Sequence, residues 1–445
     1  MTTLARSSLR HMPAVQSRFV VRAFATLVFF SALAGQFWRS LFGWWGYGAI
    51  ALVVVAGGIV ALVKLKPDWM WPRFPPSLVA FLGLATLSLA WSFYLGASLI
   101  GVTLQWATTL TALFLALCLS WAELLRTLSA ALRWILALSL VFELIVAVFV
   151  RRAVLPFWVD YSGQDVPQSF YWSRGILLQG GPIEGIVANR NLLGFVALIA
   201  VIVFAVQLTA GTVGRGWGWA WLGTGVLVLL LTRSATVALA AAAVALALVF
   251  ALWTRRREPE RRRVVYGVAA ASVVVSGTGL ALLTPQLLTL LGKSADLTGR
   301  LDIWRSVAGL AAERPVFGWG WVSYWAPWVE PFQGLAVRRG VTYLQAHNAW
   351  LDVWLQLGVL GLIVFAALVF STLWRCWFLA VDRPRRGLAD TEPFAASALL
   401  PLLLLVALIA QSLAESRILI ESGWLLLVVL AVTTKRQQAT NERMP

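Results

Sequence analysis

The chain has 445 residues, 60% of them hydrophobic and only 12% charged, where a soluble domain carries about 25% charged residues. So few charges cannot cover a water-facing surface, and lipid is the expected solvent for most of the chain. A net charge of +17 would suggest nucleic acid in a soluble protein. Here no soluble basic domain is available to hold it, so the charge reads as topological and no nucleic-acid partner is expected.

In chain order, Arg6, Arg10, Arg18 and Arg22 precede a first apolar run without a clear small-residue cleavage site, so that run is expected to stay as a signal anchor. Apolar runs then predict helices at 22–38, 42–63, 76–94, 97–119, 133–150, 187–208, 217–232, 235–253, 265–284, 351–372, 397–413 and 419–433. The expected fold is all-α, one polytopic membrane domain over 1–445 with about twelve spans. Trp121 to Trp134 predicts a short amphipathic helix on the inner membrane surface. An even number of spans puts both termini on one side. Most Lys and Arg then fall on that side, and the block from Arg255 to Arg263 marks it as cytoplasmic.

Two long loops lie on the other side, 151–186 and 284–350. The second carries a helical pattern at Leu301–Ala312, then Pro315, Gly318 and Gly320, then Trp321, Tyr324, Trp325 and Trp328. Its aromatic content predicts a segment folded over the membrane face, not a disordered one. Cys118 and Cys376 sit in or beside apolar runs and read as small buried hydrophobes. Besides His11 in the basic tail, His347 is the only histidine. No metal site and no cofactor are expected.

The polar features gather on the outer face. Arg233 sits in a tight turn, Leu231-Thr232-Arg233-Ser234, between apolar helices. It reads either as a snorkelling arginine or as an anion site facing a cavity. Arg300 stands near a helix start in Gly299-Arg300-Leu301-Asp302. It is suited to bidentate phosphate binding or to a plain pairing with Asp302. Gly318 and Gly320 allow backbone to pass close to a ligand or helix. His347 precedes a helix in Ala346-His347-Asn348-Ala349, where a neutral imidazole can take a proton from a hydroxyl. Asn189 and Asn191 flank Arg190 at another helix entry, as caps or as contacts to polar ligand groups. Glu143 and Glu415 are each a possible counter-ion to an outer arginine or a packing residue. Two arginines and a histidine on one face suit a phosphate-bearing lipid donor. The arginines would neutralise a diphosphate leaving group while the histidine activates an acceptor hydroxyl.

These motifs resemble the O-antigen ligase and O-antigen polymerase superfamily of bacterial membrane glycosyltransferases. The resemblance rests on Asn189-Arg190-Asn191, Thr232-Arg233-Ser234, Gly299-Arg300 with Trp304 and Pro315 to Gly320, and His347-Asn348 followed by Leu351, Gly358 and Gly361. It covers about 180–372. It implies a GT-C-like fold with a large extracytoplasmic loop, in the bacterial cytoplasmic membrane. It also implies an undecaprenyl-diphosphate-linked glycan donor, a glycan or lipid acceptor, and inverting, metal-independent transfer. His347 then resembles the general base, and Arg233 and Arg300 the diphosphate-binding arginines. Asn189, Arg190, Asn191, Trp304, Arg338, Arg339 and Asn348 are expected around the substrate. Arg190 stands where many members carry proline. Ligase and polymerase differ in acceptor, and both remain open.

Two rivals come from other classes. A transporter or flippase of lipid-linked oligosaccharide would show paired broken helices or intramembrane charges in two matching halves, and no internal repeat is visible. A non-catalytic envelope scaffold would tolerate loss of Arg233, Arg300 or His347 singly.

Overall fold

Apolar runs become helices up to the point where proline, glycine or a polar cap stops them. The computed structural model describes residues 15–67, 74–159, 166–290, 296–338, 341–383, 385–386, 390–391 and 393–440. The first helices are α1 (Val15–Leu33), α2 (Gly35–Leu65), α3 (Pro76–Leu87), α4 (Leu95–Cys118) and α5 (Trp121–Ile145). Then come α6 (Arg190–Thr209), α7 (Arg215–Thr232), α8 (Ala235–Arg255), α9 (Arg262–Leu290) and α10 (Asp296–Glu313). The series ends with α11 (Ala349–Val381), α12 (Leu400–Ser412) and α13 (Glu421–Thr440). Strands β1 (Val337–Arg338) and β2 (Val341–Thr342), and β3 (Arg385–Arg386) and β4 (Asp390–Thr391), form two small antiparallel pairs.

Each apolar run read from the sequence overlaps a helix, although 22–38 straddles the junction of α1 and α2 at Ala34 and 76–94 outruns α3. Among the described residues, six helices are long and apolar enough to cross a membrane: α2, α4, α5 with its continuation to Val150, α6, α8 and α11. α6 is enclosed, with 72% of its most apolar window buried, against 17% for α2 and 22% for α8. Leu52, Val63, Leu239 and Val249 therefore stand outward and exposed. An apolar face that wide is stable in lipid, not in water.

The expected surface helix at Trp121–Trp134 is corrected. It runs unbroken into the following span as α5, started by a capping box in which Ser120 and Glu123 satisfy each other's backbone amides. Arg133 does not interrupt it. Its guanidinium lies over the rings of Phe204, Trp217 and Trp221, and its Nη2 donates to Gln207 Oε1 at 3.3 Å.

Cations collect at one end of the bundle, where helices leave carbonyls unpaired. Arg255 donates to Ala380 O and Arg262 to Val381 O, both in the last turn of α11. Arg436 donates to Ala116 O near the end of α4, and Arg18 pairs with Glu123 at the start of α5. Arg6, Arg10, His11, Arg73 and Arg443 lie outside the described residues.

At the opposite end the loops are folded. Glu143, buried in α5, accepts from Ser173 Oγ at 2.8 Å and from the amides of Glu184 and Gly185 at 2.9 and 2.7 Å. It anchors the first long loop and is not paired with an arginine in these contacts. In the second loop Trp319, Trp321 and Trp325 are buried, and Trp319 and Trp325 pack with Ile303 and Val307 of α10.

That loop docks where α11 is broken at Gly358 (φ 66°). The break strips Leu355 O and Gln356 O of their helical donors. The amides of Trp319 and Gly320 replace them at 3.0 and 2.9 Å, while Val359 N turns to Pro315 O at 2.8 Å. Leu355 O, Gln356 O, Val359 N and, through Val316 O, Leu360 N are thereby paired, which a low-dielectric site demands. The approach requires glycine on both sides. A Cβ on Gly358 would sit 2.1 Å from Val316 O, and one on Gly318 (φ 68°) 2.5 Å from the Gln356 carbonyl carbon. Gly318 therefore serves close backbone packing against a helix. Gly358→Val should destabilise the protein by about 3 kcal/mol or more, read as a lowered melting temperature in detergent. An unchanged melting temperature would refute the docking account.

Candidate active site

His347, Arg300 and Asn191 come from three separate elements and meet at one carboxylate. Glu415 follows the end of α12, and its side chain is only 8% exposed. His347 Nδ1 lies 2.8 Å from Glu415 Oε2, and Arg300 Nη2 donates to Oε1 at 3.0 Å. Asn191 Nδ2 approaches the same Oε1 at 3.5 Å, while its Oδ1 accepts from Ser234 Oγ at 2.8 Å. Arg300 Nη1 reaches Thr236 Oγ1 at 3.5 Å. The network thus links α6, α8, α10, the start of α11 and the α12–α13 connection. Asp302 pairs with Arg305 instead, so the local Arg300–Asp302 pairing is not formed.

Backbone geometry holds His347 in place. Asn348 caps α11, accepting from Trp350 N at 3.0 Å and Leu351 N at 3.3 Å. His347 precedes it in the left-handed region (φ 52°), a conformation that costs a non-glycine residue about 1 kcal/mol or more. Its neighbours hold it there. Trp304 Nε1 donates to Ala346 O at 3.0 Å, Asp352 Oδ2 accepts from Ala346 N at 3.0 Å, and the Tyr343 ring stands edge-on to the imidazole. Asp352 also accepts from Ser416, and Trp350 Nε1 donates to Ser412 Oγ at 3.1 Å, which tie His347 to the segment bearing Glu415.

The electrostatics follow. Burial alone would push the Glu415 carboxyl up. Its attraction to and hydrogen bond with His347, then the charges of Arg300 and Arg417, outweigh burial and hold it below the ordinary carboxylate value near 4.5. An ionised Glu415 accepts a proton-bearing Nδ1, which leaves Nε2 of a neutral His347 as the lone-pair nitrogen. That orientation suits proton abstraction, with the carboxylate ready to stabilise the imidazolium that forms.

The remaining sequence candidates divide. Asn189 caps α6, accepting from Asn191 N and Leu192 N, and Arg190 heads that helix half-buried. Arg233 ends α7 in the left-handed region (φ 47°) with an exposed side chain. Its Nη2 lies near Gly180, and no described contact joins it to Glu415. It neighbours Ser234, so it borders the network without entering it. Arg339 lies outside the described residues, and only the backbone of Arg338, in β1, is described. Asp352, Tyr343 and Thr236 are missed by sequence reasoning, and Ser234 enters it only as part of the Thr232-Arg233-Ser234 turn. Their polar atoms act across long sequence separations, which no local pattern announces.

Residues 218–366 match the family model described as O-antigen ligase, which supports the resemblance to the O-antigen ligase superfamily over that stretch. The matched stretch holds Arg233, Arg300, Trp304, His347 and Asn348, whereas Asn191 and Glu415 lie outside it. No curated protein matches the chain.

A carboxyl held below its ordinary value stabilises the fold above about pH 4.5, and that contribution is lost as pH falls through the lowered value. Removing its charge leaves the Arg300 guanidinium uncompensated, at a cost of about 3–5 kcal/mol. Melting temperature measured from pH 7 down to 3 should fall for the wild type in the acid range. Glu415→Gln should begin lower and depend less on pH. Parallel curves for the two proteins would show that Glu415 does not carry the effect.

Proposed function

We propose that this protein, as a member of the O-antigen ligase superfamily that residues 218–366 resemble, transfers a glycan from a polyprenyl diphosphate to an acceptor hydroxyl on the extracytoplasmic face, with His347 as general base. The observation that carries the reading is the His347–Glu415–Arg300 cluster, which joins a proton acceptor to a phosphate-binding cation through one carboxylate.

In this scheme His347 Nε2 takes the proton from the acceptor hydroxyl as its oxygen attacks the anomeric carbon. The bond from that carbon to the diphosphate oxygen breaks, and the configuration inverts. Arg300 retains guanidinium N–H groups beyond those given to Glu415 and Thr236, and Arg233 stands exposed next in sequence to Ser234. Both suit the charge that develops on the leaving diphosphate. Glu415 stabilises the imidazolium until the proton leaves. No step calls for a metal ion. Asn191 and Trp304 act as positioning residues, through Glu415 and the Ala346 carbonyl. Direct substrate contacts by Asn189, Arg190, Arg338, Arg339 and Asn348 remain part of the proposal.

The cation-rich end of the bundle, with Arg255, Arg262 and Arg436, supports a cytoplasmic assignment by the positive-inside rule, which puts His347 outside and both termini inside. About twelve spans and the two long outer loops complete that topology. Ligase and polymerase chemistry share this centre and differ in the acceptor. The breaks in α2 at Gly43 and α11 at Gly358 are each filled by loop residues, Trp158 and Val316–Phe317, which favours a structural origin over transporter gating.

Transfer from a polyprenyl-diphosphate glycan by purified protein tests the proposal. His347→Ala should lose about 100-fold or more in rate. Arg300→Ala and Arg233→Ala should each lose about 10-fold or more. Wild-type rates in His347→Ala and Arg300→Ala would end the mechanism, and vesicle transport without glycan product would favour the transporter.

A further inference from the structure

A second polar cluster lies across the α12–α13 connection from His347. Arg39 of α2 and Arg417 line a small cavity with Gln36, Gln411, Glu421 and Ser422. Three buried polar atoms in it have no hydrogen-bond partner: Arg39 Nε, Arg417 Nε and Gln411 Oε1. Gln411 is 3% exposed, so its amide is committed to this cavity. Buried polar atoms left unpaired are costly, and three around one space point to a polar ligand. The free space is about 20 Å³, room for about one oxygen-sized group.

The local chain geometry enforces the cluster. Glu421 opens α13 in the left-handed region (φ 45°), and a Cβ on Gly423 would lie 2.1 Å from Arg417 O. Arg417 pairs with Glu421, while Arg39 rests over the rings of Trp44 and Tyr47. Two guanidinium groups thus face one carboxylate, leaving a net positive cavity.

Glu421 and Ala32 also line a second, larger space of about 110 Å³ between α1, α2, α4 and α13. Its walls are largely apolar, with Val28, Ile50, Val54, Val55 and Leu425. The two spaces share Ala32 and Glu421 in their walls, so an apolar slot beside a cationic, under-bonded pocket has the polarity of an amphiphile.

We propose that the paired cavities bind a membrane amphiphile, with one phosphate oxygen of its head group at Arg39 and Arg417 and its alkyl chain in the α1–α2–α4 slot. The site contains neither His347 nor Arg300, although Arg417 also acts by charge on Glu415, and it stands whether or not His347 catalyses transfer. In the singly protonated phosphate one P–OH oxygen accepts from the two free Nε–H groups and donates its own proton to Gln411 Oε1.

Equilibrium binding of radiolabelled dioctanoyl phosphatidic acid to the full-length protein in a neutral detergent tests this. Inorganic phosphate and dioctanoylglycerol serve as head-only and tail-only competitors. The wild type should bind the lipid, and neither competitor should displace it at equal concentration. Arg39→Gln should weaken binding about tenfold or more. Val54→Trp, which fills the slot and leaves the cations in place, should do the same. His347→Ala should bind as the wild type does. No binding by the wild type, full affinity in Val54→Trp, or displacement by inorganic phosphate as effective as by the lipid would each overturn the proposal. If Arg39→Gln does not fold, Val54→Trp and the competition decide it.

Discussion

One buried carboxylate constrains the functional end of this protein. Glu415 receives His347 on one oxygen and Arg300 on the other, from positions 68 and 115 residues away in the chain. A carboxylate that buried is stable only while its partners are present. Equally, each partner is placed only while the carboxylate stays put. The loop geometry serves this mutual dependence. Trp304 grips the carbonyl before His347, Asp352 grips the amide of the same residue, and Asn348 starts α11 immediately afterwards.

The broken helix is the second part of the same design. A continuous α11 would use Leu355 O and Gln356 O internally and leave the Trp- and Gly-rich loop nothing to bind. The break at Gly358 turns those carbonyls outward, and the amides of Trp319 and Gly320 take them. This holds the segment that follows α10 against α11. Arg300 on α10 and His347 before α11 are thereby kept in one place. The match of residues 218–366 to the O-antigen ligase family model gives the cluster its chemical context, since the matched stretch carries both residues. The carboxylate that joins them comes from beyond that stretch.

Much of the fold was legible in the sequence because hydropathy reports lipid-facing length directly. Runs such as 97–119 and 235–253 became α4 and α8 with shifts of a few residues. The separate surface helix at Trp121–Trp134 failed for a nonlocal reason. Arg133 looked like a span boundary, yet aromatic rings from α6 and α7 cover it inside a continuous helix. At the site, the residue types of Arg300 and His347 were readable, and Glu415 could be named as a possible counter-ion. Which cation it would meet was not readable, because Asp302 offered Arg300 a nearer partner in sequence. Thr236 carries no signal of its own, and Ser234 is marked only as part of the Thr232-Arg233-Ser234 turn. Their roles arise only when α8 packs beside α6 and α10.

The central claim is that His347 and Glu415 act as one unit in transfer. A double-mutant cycle on the transfer rate tests it most directly, with His347→Ala, Glu415→Gln and the pair together. The account predicts strong non-additivity: once His347 is absent, Glu415→Gln should cost little further rate. Losses that simply multiply would contradict it, and would mean that the carboxylate and the imidazole serve separate ends.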